Sequence, residues 1–119
     1  MITEEKLVDN FNTIIKEMHP RVWELLRHCY VKVITPSFMR SCVSSVQYIG
    51  IYCPHEIFAS LVAEKDLLRE VAKYLGLPEV VCLNATKLLR DPLSKLKTAY
   101  PHLWLELLWI TTETQKHSS

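Results

Sequence analysis

Apolar residues recur at helical spacing from the start of the chain, at Leu7, Phe11, Ile14, Ile15 and Met18. Thr3 stands ahead of them as a capping residue, with Glu4 and Glu5 beside the helix N-terminal dipole, which predicts a helix over about 3–18. His19-Pro20 interrupts the pattern. Pro20 suits the first position of a second helix carrying Val22, Leu25, Leu26, Cys29 and Val33 on one face, so the two helices form a hairpin. Thr35-Pro36 repeats the signal of a capping residue followed by proline and predicts a short third helix over about 36–44, with Phe38 and Cys42 turned inward. The pattern then changes: Val46, Tyr48, Ile49, Ile51 and Tyr52 are β-branched or aromatic and the run stops at Pro54, as a strand over 46–53 does.

Beyond Pro54, one long amphipathic helix is predicted by Ile57, Phe58, Leu61, Val62, Leu68, Val71, Ala72 and Leu75. Glu64, Lys65, Asp66, Arg69, Glu70 and Lys73 lie on its other side, and Gly76 is suited to end it in a left-handed cap. Residues 79–83 read as a second strand, which completes a βαβ-like unit. Asn84 or Thr86 starts a short helix that Asp91-Pro92 interrupts. Pro101 opens a last helix with Leu103, Trp104, Leu107, Leu108 and Ile110, and 111–119 is expected to be a disordered tail. The fold class is therefore α+β: a helix hairpin plus a βαβ unit with a small sheet, flanked by extra N-terminal and C-terminal helices.

Length and charge narrow this picture. A chain of 119 residues matches a single domain, placed here at 1–110. A formal net charge of +1 supplies no broad field for a nucleic-acid backbone. The longest apolar runs, at 80–83 and 107–110, are far short of the roughly 20 residues of a membrane span, and the acidic N-terminus lacks a secretory pattern. No membrane association and a cytoplasmic location are expected.

Candidate chemistry is sparse. With glycine only at positions 50 and 76, no Gly-rich phosphate loop exists, and neither does the Gly-x-x-Gly clamp of a typical KH domain. Cys29, Cys42, Cys53 and Cys82 sit apart among apolar neighbours, as buried thiols do, although their even number leaves a disulfide open. His28 beside Cys29, and Cys53 near His55, do not match the ligand spacing of a structural zinc site, so neither metal nor cofactor is expected. Cys53 and His55 are the one pair from which a thiol enzyme could be built; without it there is no catalytic residue to name and the chain reads as non-enzymatic. Lys87, Arg90, Lys95 and Lys97 concentrate positive charge, broken by Asp91 and followed by Tyr100. A solvated linker helix is the plainer account of them, and a weak contact with a single-stranded nucleic acid is the other. Trp104 and Trp109, five apart, fall on different sides of one helix, so an exposed one would mark an interface.

The order Val22-Trp23-Glu24-Leu25-Leu26, Thr35-Pro36-Ser37-Phe38 and Tyr48-Ile49-Gly50-Ile51-Tyr52-Cys53-Pro54, followed by a helix and a strand, resembles the N-terminal domain of the bacterial replication initiator DnaA. The resemblance covers about 20–84 and implies a KH-like fold without the Gly-x-x-Gly loop. The family's tryptophan three residues after the Phe is Ser41 here, its Asn after the strand proline is His55, and the acidic residue that some members carry before the Phe is Ser37. The resemblance implies a free-standing adaptor that binds a protein of the replication machinery through a face including Trp23, Ser37 and Phe38, with a second contact at Ile57. The expected function is a non-catalytic protein-binding adaptor or regulator in DNA replication initiation, the alternative being a weak single-strand nucleic-acid binder using Lys87, Arg90, Lys95 and Lys97. The two terminal helices, which have no counterpart in the family pattern, either complete the core or form a homodimer interface.

Overall fold

The computed structural model describes residues 3–35 and 47–118, leaving aside the side chains of 113–118. Thr3 Oγ1 accepts the Lys6 N–H at 3.1 Å and caps α1 (Glu4–Met18), whose Phe11 and Ile15 stand one turn apart and are buried. Pro20 begins α2 (Pro20–Leu26), which folds back against α1 as a hairpin. The helix does not continue to Val33. It ends at Leu26, and Tyr30–Ile34 form β1 instead. Cys29 and Val33 are four apart, a spacing that suits one face of a helix and equally one face of a strand, and the run Tyr-Val-Lys-Val-Ile favours the strand. The third helix expected over 36–44, with Phe38 and Cys42, lies outside the described residues.

β2 (Tyr48–Cys53) is the central strand of a three-stranded sheet of order β1-β2-β3. It pairs antiparallel with β1, Tyr30 opposite Tyr52 and Val33 opposite Ile49, and parallel with β3 (Val80–Asn84), Ile49 opposite Val80 and Cys53 opposite Asn84. A parallel neighbour requires a crossover connection. Two helices supply it where the sequence reading has one: α3 (His55–Val62) and α4 (Lys65–Tyr74), with a turn at Ala63 and Glu64. The break falls where continuing the apolar stripe by three or four residues from Leu61 meets Glu64 and Lys65, so nothing apolar holds a straight helix to the core there.

α4 closes in a left-handed cap at Gly76, φ 86°, with Leu77 N–H donating to Ala72 O and Gly76 N–H to Lys73 O, both at 2.9 Å. Leu77 is thereby returned to the core. Glu79 Oε1 then accepts the Val80 N–H at 2.9 Å and Arg69 Nε–H at 2.8 Å, contacts that hold this carboxyl below its ordinary value and tie β3 to α4. Asn84 Oδ1 caps α5 (Ala85–Arg90) by accepting the Lys87 N–H. A short α6 (Leu96–Ala99) precedes α7 (Pro101–Ser118), which continues past Ile110, where the sequence reading begins a tail.

Alternation along β2 divides the interior in two. Ile49, Ile51 and Cys53 face the larger core with Phe11, Ile15, Leu26, Leu61, Leu68 and Val80. Tyr52 lies on the other face with Ala85, Leu103 and Leu107, flanked by Tyr30, Ile34 and Leu83. Gly50 belongs to this second face, and a Cβ there would overlap Ile34 Cδ1, so the glycine makes room for the neighbouring strand's isoleucine. The Tyr30 and Tyr52 rings, 6.1 Å apart, form a cross-strand pair beside it.

Two stability measurements check these assignments. Gly76→Ala should lower the unfolding free energy by about 1 kcal/mol in a urea titration, because an L-residue is strained at that φ. Leu107→Ala should cost about 3 kcal/mol as a buried truncation, whereas Leu105→Ala, on the opposite side of α7, should stay within about 0.5 kcal/mol of the parent.

Candidate functional site

α7 is apolar on more than one side. Leu103, Leu107 and Thr111, four apart, are buried against the second face of the sheet and α5. The Thr111 hydroxyl is accommodated there by donating back to Leu107 O at 2.9 Å. On the opposite side of the helix, Leu105, Leu108 and Trp109 form a second row at i, i+3 and i+4, and they are 56%, 41% and 65% exposed. Trp109 alone presents on the order of 150 Å² of apolar surface, judged from what a tryptophan can bury. Trp104 is half-buried, and the Lys97 ammonium lies 5.0 Å from its ring centroid, a cation–π contact. The five-residue spacing of the two tryptophans thus does divide them between a packed side and an open side. Leu105, absent from the candidate residues read from the sequence, joins that open side, and the signal for it is the 105, 108, 109 spacing itself.

The residues carried over by family resemblance occupy a different region. Trp23 on α2 and Ile57 on α3 lie on helices in contact with each other, and each is half-buried against the larger core. Core packing therefore accounts for both side chains. Ser37 and Phe38 lie outside the described residues.

The four basic candidates fall on two elements. Lys95 and Lys97 belong to the α6 region, and Lys97 is engaged with Trp104. Lys87 and Arg90, one turn apart on α5, line a separate crevice with His55, Thr86 and Asp91. The parallel register creates it: Cys53 is opposite Asn84, so the residues two beyond each strand end, His55 and Thr86, meet across 31 positions of sequence. The His55 N–H donates to Thr86 Oγ1 at 3.0 Å, and Asn84 Nδ2 is 3.1 Å from His55 Nδ1. Asn84 Oδ1 is committed to the Lys87 N–H, which orients the amide so that its NH₂ faces the imidazole. Nδ1 then accepts, and the ring proton sits on Nε2. No local motif announces His55 and Thr86 as neighbours.

Among the described residues, the Cys53 thiol and the His55 imidazole are not brought together. Cys29, Cys53 and Cys82 come from the approach to β1, from β2 and from β3, and share the face of the sheet toward the larger core. Cys53 is completely buried. Its thiol, which donates to Ile51 O at 3.5 Å, is pushed well above its ordinary value of 9.0 by the neighbouring Cys29 thiol and by removal from water, and Cys82 is raised by Cys53 and by burial. An activated nucleophile needs the opposite shift. His55 is exposed and turned to Asn84, so it is not the partner of Cys53. Among the described residues these three cysteines are free, and no group of three His, Cys, Asp or Glu is placed to hold a metal ion. No helix among them is long and apolar enough to cross a membrane.

Comparison with protein-family models, curated proteins and solved structures finds no match to this chain.

The thiol arrangement carries a pH dependence of definite sign. A folded-state pKa above the unfolded one means that the folded state retains protons the unfolded chain releases, so stability is constant below the ordinary thiol value and falls as pH rises above about 9. The urea midpoint should drop between pH 8 and pH 10, and the drop should be smaller in Cys53→Ala. At pH 8, alkylation mapped by mass spectrometry should leave Cys53 unmodified until denaturant is added.

Proposed function

We propose that this protein is a non-catalytic adaptor that binds another protein through the outer face of α7, acting in DNA replication initiation. The observation that carries the binding role is the row Leu105, Leu108 and Trp109, exposed on a helix whose opposite row is locked into the core. A contiguous apolar row centred on an open tryptophan is costly to leave in water, and tryptophan is enriched among the residues that dominate protein interfaces. The replication setting is supported by the likeness of about 20–84 to the DnaA N-terminal domain. The α7 face lies outside that span, so on this reading the adaptor has a docking surface of its own beside whatever it shares with the family. The occupant is a partner protein with an apolar cleft that receives Trp109.

Capture from nuclease-treated lysate of the native host tests this, using the whole chain and a Leu105→Ser/Trp109→Ser variant with unchanged circular dichroism. Retention of a replication protein by the parent, reduced by about 30-fold in affinity in the variant when that protein is purified and titrated, is the expected result, as truncating a central tryptophan costs about 2 kcal/mol. Equal retention by parent and variant removes α7 as the surface. A concentration-dependent dimer in sedimentation, lost in the variant, would instead make a second copy the occupant and overturn the adaptor reading.

A further inference from the structure

The crevice at the carboxyl ends of β2 and β3 is unrelated to the α7 face, and its lining is chemically one-sided. Four side chains can donate into it. Lys87 and Arg90 are exposed, one turn apart, and neither forms an ion pair among the described residues. His55 has Nδ1 satisfied by Asn84, which leaves Nε2–H as its remaining donor. Thr86 Oγ1 accepts the His55 N–H and keeps its own O–H proton to give. The one acidic lining residue, Asp91, has Oδ1 already taken by the Leu93 N–H at 2.9 Å. A crevice with two cations, an imidazole N–H and a hydroxyl, facing a single engaged carboxylate, is suited to an anion.

Size and position refine the ligand. The space is about 260 Å³, below the roughly 300–1,000 Å³ of pockets that enclose a drug-sized ligand, so the group held inside it is compact. It lies where parallel strands end and their following helices begin, the edge at which open α/β sheets hold ligands. We propose that this crevice binds a phosphate dianion, free or as a monoester, with Arg90 and Lys87 supplying charge and His55 and Thr86 orienting its oxygens. The guanidinium fork matches two oxygens of a tetrahedral anion, and the ammonium on the preceding turn adds a second positive charge, which outweighs the single Asp91 carboxylate.

The test is titration of the ¹⁵N-labelled full chain with inorganic phosphate, and separately with phosphoserine, against sodium chloride at matched ionic strength. Saturable shifts confined to the amides of His55, Thr86, Lys87 and Arg90 are expected. Affinity should fall at least tenfold in Lys87→Gln/Arg90→Gln, and stay within twofold in Lys95→Gln. All three side chains are exposed, so the variants should retain the parent spectrum elsewhere. Equal affinities for the two ligands would show that the phosphate group alone is recognised, and tighter phosphoserine binding would show that a monoester is the better ligand; both support the site. Shifts that are linear, or reproduced by chloride, or unchanged in the double variant overturn it. So does binding of an oligothymidylate that phosphate fails to compete, since that would make the cations part of an extended nucleic-acid track.

Discussion

Everything in this fold hangs on β2 having a partner on each side, one of each sense. Its hydrogen bonds to β1 run antiparallel, and those to β3 run parallel. The second pairing cannot be closed by a tight turn, so the chain must cross the sheet and return, and α3 and α4 make that passage. With those helices and the α1–α2 hairpin on one side, the central strand's other face still presents Tyr52 and the gap at Gly50, which Ile34 and the α5–α7 layer cover. A strand of six residues thereby organises both cores and sends two chain segments to the same edge.

That shared edge is also where chemistry collects. Parallel strands point their carboxyl ends in one direction, so the first residues after β2 and after β3 become neighbours regardless of the chain between them. His55, Thr86, Lys87 and Arg90 are brought together in this way, whereas Lys95 and Lys97, nearer to Arg90 in sequence than His55 is, do not line the crevice. The three thiols illustrate the same logic with the opposite outcome. Register aligns them on one face, but it is the face toward the larger core, where Cys53 and Cys82 are held above their ordinary values, the opposite of an activated thiol.

Local signals were legible in the chain, and distant ones were not. Thr3, Pro20, Asn84, Gly76 and Pro101 act on their own segment through a cap, a fixed φ or a left-handed turn, and each does so in the structure. β1 escapes such reading because the spacing from Cys29 to Val33 satisfies both periods, and only pairing with β2 decides between them. The break between α3 and α4 is written in the polar pair at Glu64 and Lys65, though it shows only when the stripe is followed turn by turn. Trp109 as an open side chain follows from its distance to Trp104. The crevice does not follow from any window of sequence, since His55 and Thr86 meet through strand register alone.

The two layers on the sheet are unequal in a way that matters for motion. Among the described residues, the face bearing α1 to α4 is held by fourteen buried hydrophobic residues, and that bearing α5 to α7 by four. Sub-global opening takes the less anchored unit first, so α7 and its companions can lift from the tyrosine-lined face while the opposite layer keeps the sheet intact. Amide hydrogen exchange in that layer would then report a partial opening of lower free energy than global unfolding. A partner that grips the outside of α7 would, by closing that door, stiffen the half of the molecule that the sequence leaves loosest.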